Sequence, residues 1–135
     1  MGKREEQVIT DTIRRALPDV EAIYLYGSMA HGAGRDDSDV DIACLRLQPL
    51  TASEVLALRT DLAVLLGRDV DLLDLRRAST EMAFQVVTDG RCLFGEAEEA
   101  VANFDTSIMS QYANLQIERR EIVEDAVKRG SIYGR

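Results

Sequence analysis

At 135 residues the chain has the length of one ordinary domain, enough to bury roughly two-thirds of its unfolded surface around an unaided core. Hydrophobic residues make up 46% and charged residues 30%, a water-soluble balance, and no apolar run reaches the ~18 residues of a membrane span. Sixteen Lys and Arg against 24 Asp and Glu leave a net charge of −8, which repels nucleic acid at long range and argues against direct nucleic-acid binding.

Residues 4–17 carry Ile9, Ile13, Ala16 and Leu17 at helical spacing, with Pro18 after the break. Glu21–Tyr26 reads as a short buried strand ending at Gly27. Ser28 to about Gly32 suits a short helix, and GAGRDDS at 32–38 is loop chemistry. Asp39–Leu45 is a second strand. Thr51 and Glu54 make a capping-box pair, opening a helix that carries Val55, Leu56, Leu58, Leu62, Leu65 and Leu66 and closes at Gly67. Asp69–Leu75 is a third strand, residues 78–89 read as helix, and Arg91–Phe94 as a fourth, edge strand. From about Glu96 to Arg129 the pattern is helical, with a break expected near Asp105. No linker or repeat divides the chain. One domain over 1–135 is expected: an α/β core to about residue 95 and a C-terminal helical segment from 96.

The chemistry is concentrated between residues 27 and 71. Gly27-Ser28 follows a strand, where glycine permits a sharp turn and bare approach of a ligand. Helix-start N–H groups and the Ser28 hydroxyl would make a donor cluster for phosphate oxygens. Ten residues later, Asp39 and Asp41 lie two apart on a strand, so both carboxylates share a face while Val40 and Ile42 take the other. Two adjacent carboxylates repel unless a cation sits between them, and Mg²⁺ is the hard ion that bridges carboxylates to phosphates. The next strand offers Asp71, or Asp69 by the same parity, as a third ligand or base; Asp74 falls on the opposite face. Together these features specify phosphoryl or nucleotidyl transfer. No GxxxxGK[ST] occurs, and Gly32-Ala33-Gly34 does not continue as GxGxxG.

Gly27-Ser28, ten residues, then Asp39-Val40-Asp41 resembles the GSx10DxD signature of the DNA polymerase β-type nucleotidyltransferase superfamily. The match runs in order over residues 21–75, and the layout is similar to its smallest members, the MNT antitoxins of HEPN/MNT toxin–antitoxin systems. That resemblance implies a small mixed sheet of about four strands flanked by helices. It implies ATP as substrate, two Mg²⁺ ions, and AMP transfer to a tyrosine of a HEPN ribonuclease, which silences the toxin. By the same resemblance Asp39, Asp41 and Asp71 are catalytic and metal-binding, and Gly27 and Ser28 bind the nucleotide. His31 departs from the pattern, standing where Arg is expected in many relatives.

Asp39 and Asp41 also fit a charged edge strand, but Val40, Ile42, Ala43 and Leu45 make their strand look central. His31 and Arg35 read as surface residues within reach of a phosphate, and Cys44 and Cys92 as small core residues. Neither cysteine has metal or disulfide spacing, and the opening MGKREEQ lacks an apolar signal core, so a cytoplasmic location is expected. In the tail, Ile108, Tyr112, Leu115, Ile122 and Ala126 form a stripe interrupted by Arg119. A helix over 107–129 would span ~33 Å, more than a small sheet covers. The surplus, with Ile132 and Tyr133 beyond a break at Gly130, reads as a partner-docking element. The acceptor is therefore expected to be another folded protein. Competing readings are a non-catalytic antitoxin that masks its toxin, and an enzyme acting on a small molecule with a second subunit.

Overall fold

The computed structural model describes residues 1–27, 30, 39–95 and 99–132, with only the backbone of 100 and 130–132. Ser28, His31 and Arg35, the short helix expected after Gly27, and Tyr133 lie outside the described residues, as does the side chain of Ile132. The elements in order are α1 (Lys3–Ala16), β1 (Ala22–Tyr26), β2 (Val40–Leu45), α2 (Ala52–Leu66), β3 (Val70–Asp74), α3 (Thr80–Asp89), β4 (Arg91–Phe94) and α4 (Glu99–Ile132). The strands form one mixed sheet in the order β3-β2-β1-β4. β1 is antiparallel to β2 and β4, whereas β2 and β3, joined through α2, run parallel.

Strand periodicity divides the sheet into two faces. Ile23, Leu25, Val40, Ile42, Val70 and Leu72 pack under α1 and α2, against Ile9, Ile13, Leu17, Leu58 and Leu62. Tyr24, Tyr26, Ala43 and Leu45 face α3 and α4, against Ala83, Val86, Val101, Phe104 and Ile108. The Tyr24 hydroxyl donates to Asp105 Oδ1 at 3.3 Å, tying β1 to α4.

Local signals set the ends of α2. The Thr51 hydroxyl accepts from Glu54 N, and the Glu54 carboxylate accepts from Thr51 N, so the capping box forms as expected. Gly67 closes the helix in the left-handed region at φ 66°. The apolar residues read along this helix are not all core, however. Leu58 and Leu62 are buried, but Leu56 and Leu65 are exposed, because α2 is apolar around its whole circumference and only one side meets the sheet.

The tail also differs from expectation. α4 is one continuous 34-residue helix, about 51 Å long at 1.5 Å per residue, without a break at Asp105 or Gly130. Its core contribution ends early, at Val101, Phe104 and Ile108. Tyr112 then stacks on Phe84 of α3 with ring centroids 3.8 Å apart, and Arg119 pairs with Glu81 of α3. Beyond that pair Ile122, Val123 and Val127 are 67%, 61% and 64% exposed. A four-strand sheet is too narrow to cover the second half of such a helix. Among the described residues no helix is long and apolar enough to cross a membrane.

Candidate active site

The site forms where β1 ends and β2 and β3 begin. Asp39 stands exposed just before β2, and Asp41 is half-buried two residues on, on the face that carries Ala43 and Leu45. Parallel pairing sets Asp41 directly opposite Asp71, and the period of two leaves Asp39 and Asp69 on the same side. Asp74 pairs with Cys44 on the other face. Its carboxylate is used structurally, accepting from Leu50 N at 2.9 Å and from Arg76 N at 3.3 Å. Asp69 contributes its backbone carbonyl, which accepts from Val40 N at 2.9 Å and joins the entrances of β2 and β3.

Gly27 closes β1 with φ +72°, and a Cβ built there would lie 2.6 Å from Asp41 Oδ2. The glycine is therefore required twice, for its backbone conformation and for the space that the carboxylate occupies. Along the sheet the order of functional positions is Asp71 on β3, Asp41 on β2 with Asp39 just before it, and Gly27 just after β1.

The charges crowd. Partial burial, then Asp71 and Asp39, push the Asp41 carboxyl above the ordinary carboxylate range. Tyr26, the register partner of Asp41, is buried on the same face. Its phenol is pushed up to about 12, by burial first and then by the charges of Asp41 and Asp71. Strand parity with Asp41 was the available signal for Tyr26. The groove beside the carboxylates has a volume of ≈ 730 Å³ and is walled by Leu56, Arg59, Thr60, Ala63 and Val64 of α2. Arg59 is its only cation among the described lining residues. Nothing local in the sequence marks Arg59, because its place depends on how α2 lies against β3.

Adjacent carboxylates beside a bare glycine turn can serve a phosphate-bearing substrate, and the known relatives narrow that chemistry. The profile of the family described as polymerase beta nucleotidyltransferases matches residues 7–99. The chain belongs to this family. This nucleotidyltransferase is 38% identical over 127 residues to the protein adenylyltransferase MntA of Shewanella oneidensis, across 94% of its own length and 91% of the relative's. Its fold is similar to a chain in a crystal structure of a toxin–antitoxin with AMP-PNP, with TM-score 0.80 and 38% identity. That superposition covers 90% of this chain and 98% of the other. A complex of tri-AMPylated Shewanella oneidensis HEPN toxin with MNT antitoxin matches with TM-score 0.77 and 36% identity, over 94% and 99% of the two chains. The polymerase β-like fold implied by the family resemblance is the fold found.

Proposed function

We propose that this nucleotidyltransferase is the antitoxin of a type VII-like toxin–antitoxin pair. It transfers AMP from ATP to a tyrosine hydroxyl of a cognate HEPN ribonuclease in the cytoplasm and so neutralises it. The observation that carries this reading is the likeness, over nearly its full length and at 38% identity, to a protein adenylyltransferase.

In the transfer, the tyrosine oxygen attacks the α-phosphorus of ATP and forms a new O–P bond. The bond from the α-phosphorus to the bridging oxygen breaks, pyrophosphate leaves with the electron pair, and the phenolic proton passes to a base. We assign Gly27 and Ser28 to the triphosphate, with Gly27 leaving room for its approach. Asp39 and Asp41 are assigned to metal, and Asp71 to the acceptor side as third ligand or proton acceptor. Support for Asp71 over Asp69 comes from its pairing directly opposite Asp41.

The donor set suits Mg²⁺, which takes hard oxygens and is typically held by one or two carboxylates, waters and substrate phosphates. The raised Asp41 carboxyl marks like-charge crowding that a cation relieves. Among the described residues no three His, Cys, Asp or Glu side chains converge on an ion unaided, so ATP phosphates are expected to complete the coordination. Two Mg²⁺ ions, when bound, would neutralise phosphate charge and favour ionisation of the acceptor hydroxyl.

The distal half of α4 supplies a surface for the toxin, since Ile122, Val123 and Val127 are exposed among the described residues. That surface also favours a second reading, masking of the toxin by binding alone. Intact-mass measurement of the co-expressed toxin separates the two. AMP increments should appear with the wild-type antitoxin and vanish with Asp39→Asn/Asp41→Asn. Full rescue from toxicity by that inactive pair, at equal expression, would instead establish masking.

A further inference from the structure

Two tyrosines of β1 share the sheet face under α3 and α4, and only one of them is satisfied there. The Tyr24 hydroxyl donates to Asp105 of α4. Tyr26, two residues on, is almost as deep, with 9% of its surface exposed, and its ring packs in the same apolar cluster. Its hydroxyl, however, forms no hydrogen bond with any described residue. Buried hydroxyls are nearly always paired, so this one points to a partner from outside the chain.

The position of Tyr26 says what that partner is. Antiparallel register sets it directly opposite Asp41, which in turn pairs with Asp71 on the next strand. Residues opposite one another share a face, and the Tyr26 phenol feels the charge of both carboxylates. Tyr26 also immediately precedes Gly27, the turn assigned to the triphosphate, and its strand lies two away from that of Asp71 on the acceptor side. A donor that faces the carboxylates from the nucleotide side faces the phosphorus that reacts. The phenol, pushed up to about 12, keeps its proton near neutral pH and is therefore a donor rather than a base. Its ring, already held by packing, needs no reorganisation when a phosphate arrives.

We propose that Tyr26 is a catalytic residue whose hydroxyl donates a hydrogen bond to a non-bridging oxygen of the ATP α-phosphate. Those oxygens carry the negative charge of the transferring group, and a fixed donor offsets that charge beside the carboxylates. Tyr26 keeps its proton throughout. The acceptor proton still passes to the base, and pyrophosphate leaves as before. The assignment rests on the adenylyltransferase reading above, which makes the α-phosphorus the reacting centre.

Tyr26→Phe keeps the ring and removes only the donor. The test follows AMP addition to the purified cognate toxin by intact mass, with Mg²⁺ and either ATP or each diastereomer of ATPαS. Circular dichroism verifies folding. With ATP, kcat/KM should fall on the order of tenfold or more. Sulfur is a poor hydrogen-bond acceptor, so with one diastereomer the wild type and Tyr26→Phe should differ much less than with ATP. Unchanged transfer by Tyr26→Phe overturns the contact. An equal loss with ATP and with both diastereomers also overturns it, because the loss then lies in packing or metal binding. A wild type that modifies no toxin removes the adenylyltransferase reading by itself, and binding then decides the role of Tyr26. In that case an affinity for AMP-PNP with Mg²⁺ that is several-fold lower in Tyr26→Phe upholds the contact, and an equal affinity overturns it.

Discussion

Gly27 and Asp41 occupy each other's space: a methyl group on the glycine would lie 2.6 Å from the carboxylate oxygen of the aspartate. The obstacle is the end of a side chain rather than backbone, so it can move, but only by displacing Asp41. Gly27→Ala should therefore still fold, losing about 1 kcal/mol for a non-glycine residue at φ +72°. Nucleotide transfer should fall far more than stability does. Denaturant melts alongside AMP-transfer rates check this, and a variant with normal transfer would show that Asp41 need not hold its position.

Asp41→Asn has opposite effects on stability and activity. A carboxyl whose folded pKa is raised contributes stability at low pH and loses it as pH rises through the folded value. At neutral pH the metal-free wild type therefore bears a penalty that Asn removes. Its thermal midpoint in EDTA should rise, while Asp39→Asn/Asp41→Asn should lose transfer by ~100-fold or more. A lower midpoint for Asp41→Asn would contradict the crowding.

Acid sensitivity should trace to the start of α2. Buried Arg46 bonds both oxygens of Glu54, at 2.9 and 2.7 Å, and also the carbonyls of Gln48 and Pro49. Arg46, and then the Thr51 backbone, hold the Glu54 carboxyl down to about 2 from its ordinary 4.5. The contribution is thus complete above 4.5 and lost as pH falls through about 2. Glu54→Gln should cost about 1 kcal/mol or more at pH 7. Urea melts across the pH range should show that difference shrinking below pH 4.5 and vanishing near 2.

Solvent-facing residues on the distal half of α4 should matter for partner binding and little for folding. Ile122→Ser/Val123→Ser/Val127→Ser should change stability by no more than about 0.5 kcal/mol per site. Affinity for the toxin should drop on the order of tenfold or more. Calorimetric melts and a binding titration measure the two effects. A large fall in the melting midpoint would mean that this segment folds back onto the body.

Local physics made much of the chain legible before any tertiary contact was known. Strand alternation put Asp39 and Asp41 on one face and Val40 and Ile42 on the other. Thr51 and Glu54 announced the start of α2, and Gly67 its end. Parity sent Asp74 away from the site, and its bonds to Leu50 and Arg76 agree. These features depend on neighbours within a few residues, which a sequence displays directly. What parity leaves open is register, because Asp69 and Asp71 share a face and only the pairing of β3 with β2 sets one of them opposite Asp41. Burial of long helices is equally non-local. Leu56 and Leu65 of α2 remain in solvent because only one side of that helix meets the sheet, and Val127 of α4 because the sheet is too narrow to reach it. The crowding of Gly27 against Asp41, and the place of Arg59 in the groove beside the carboxylates, arise only when segments distant in sequence are brought together by the fold.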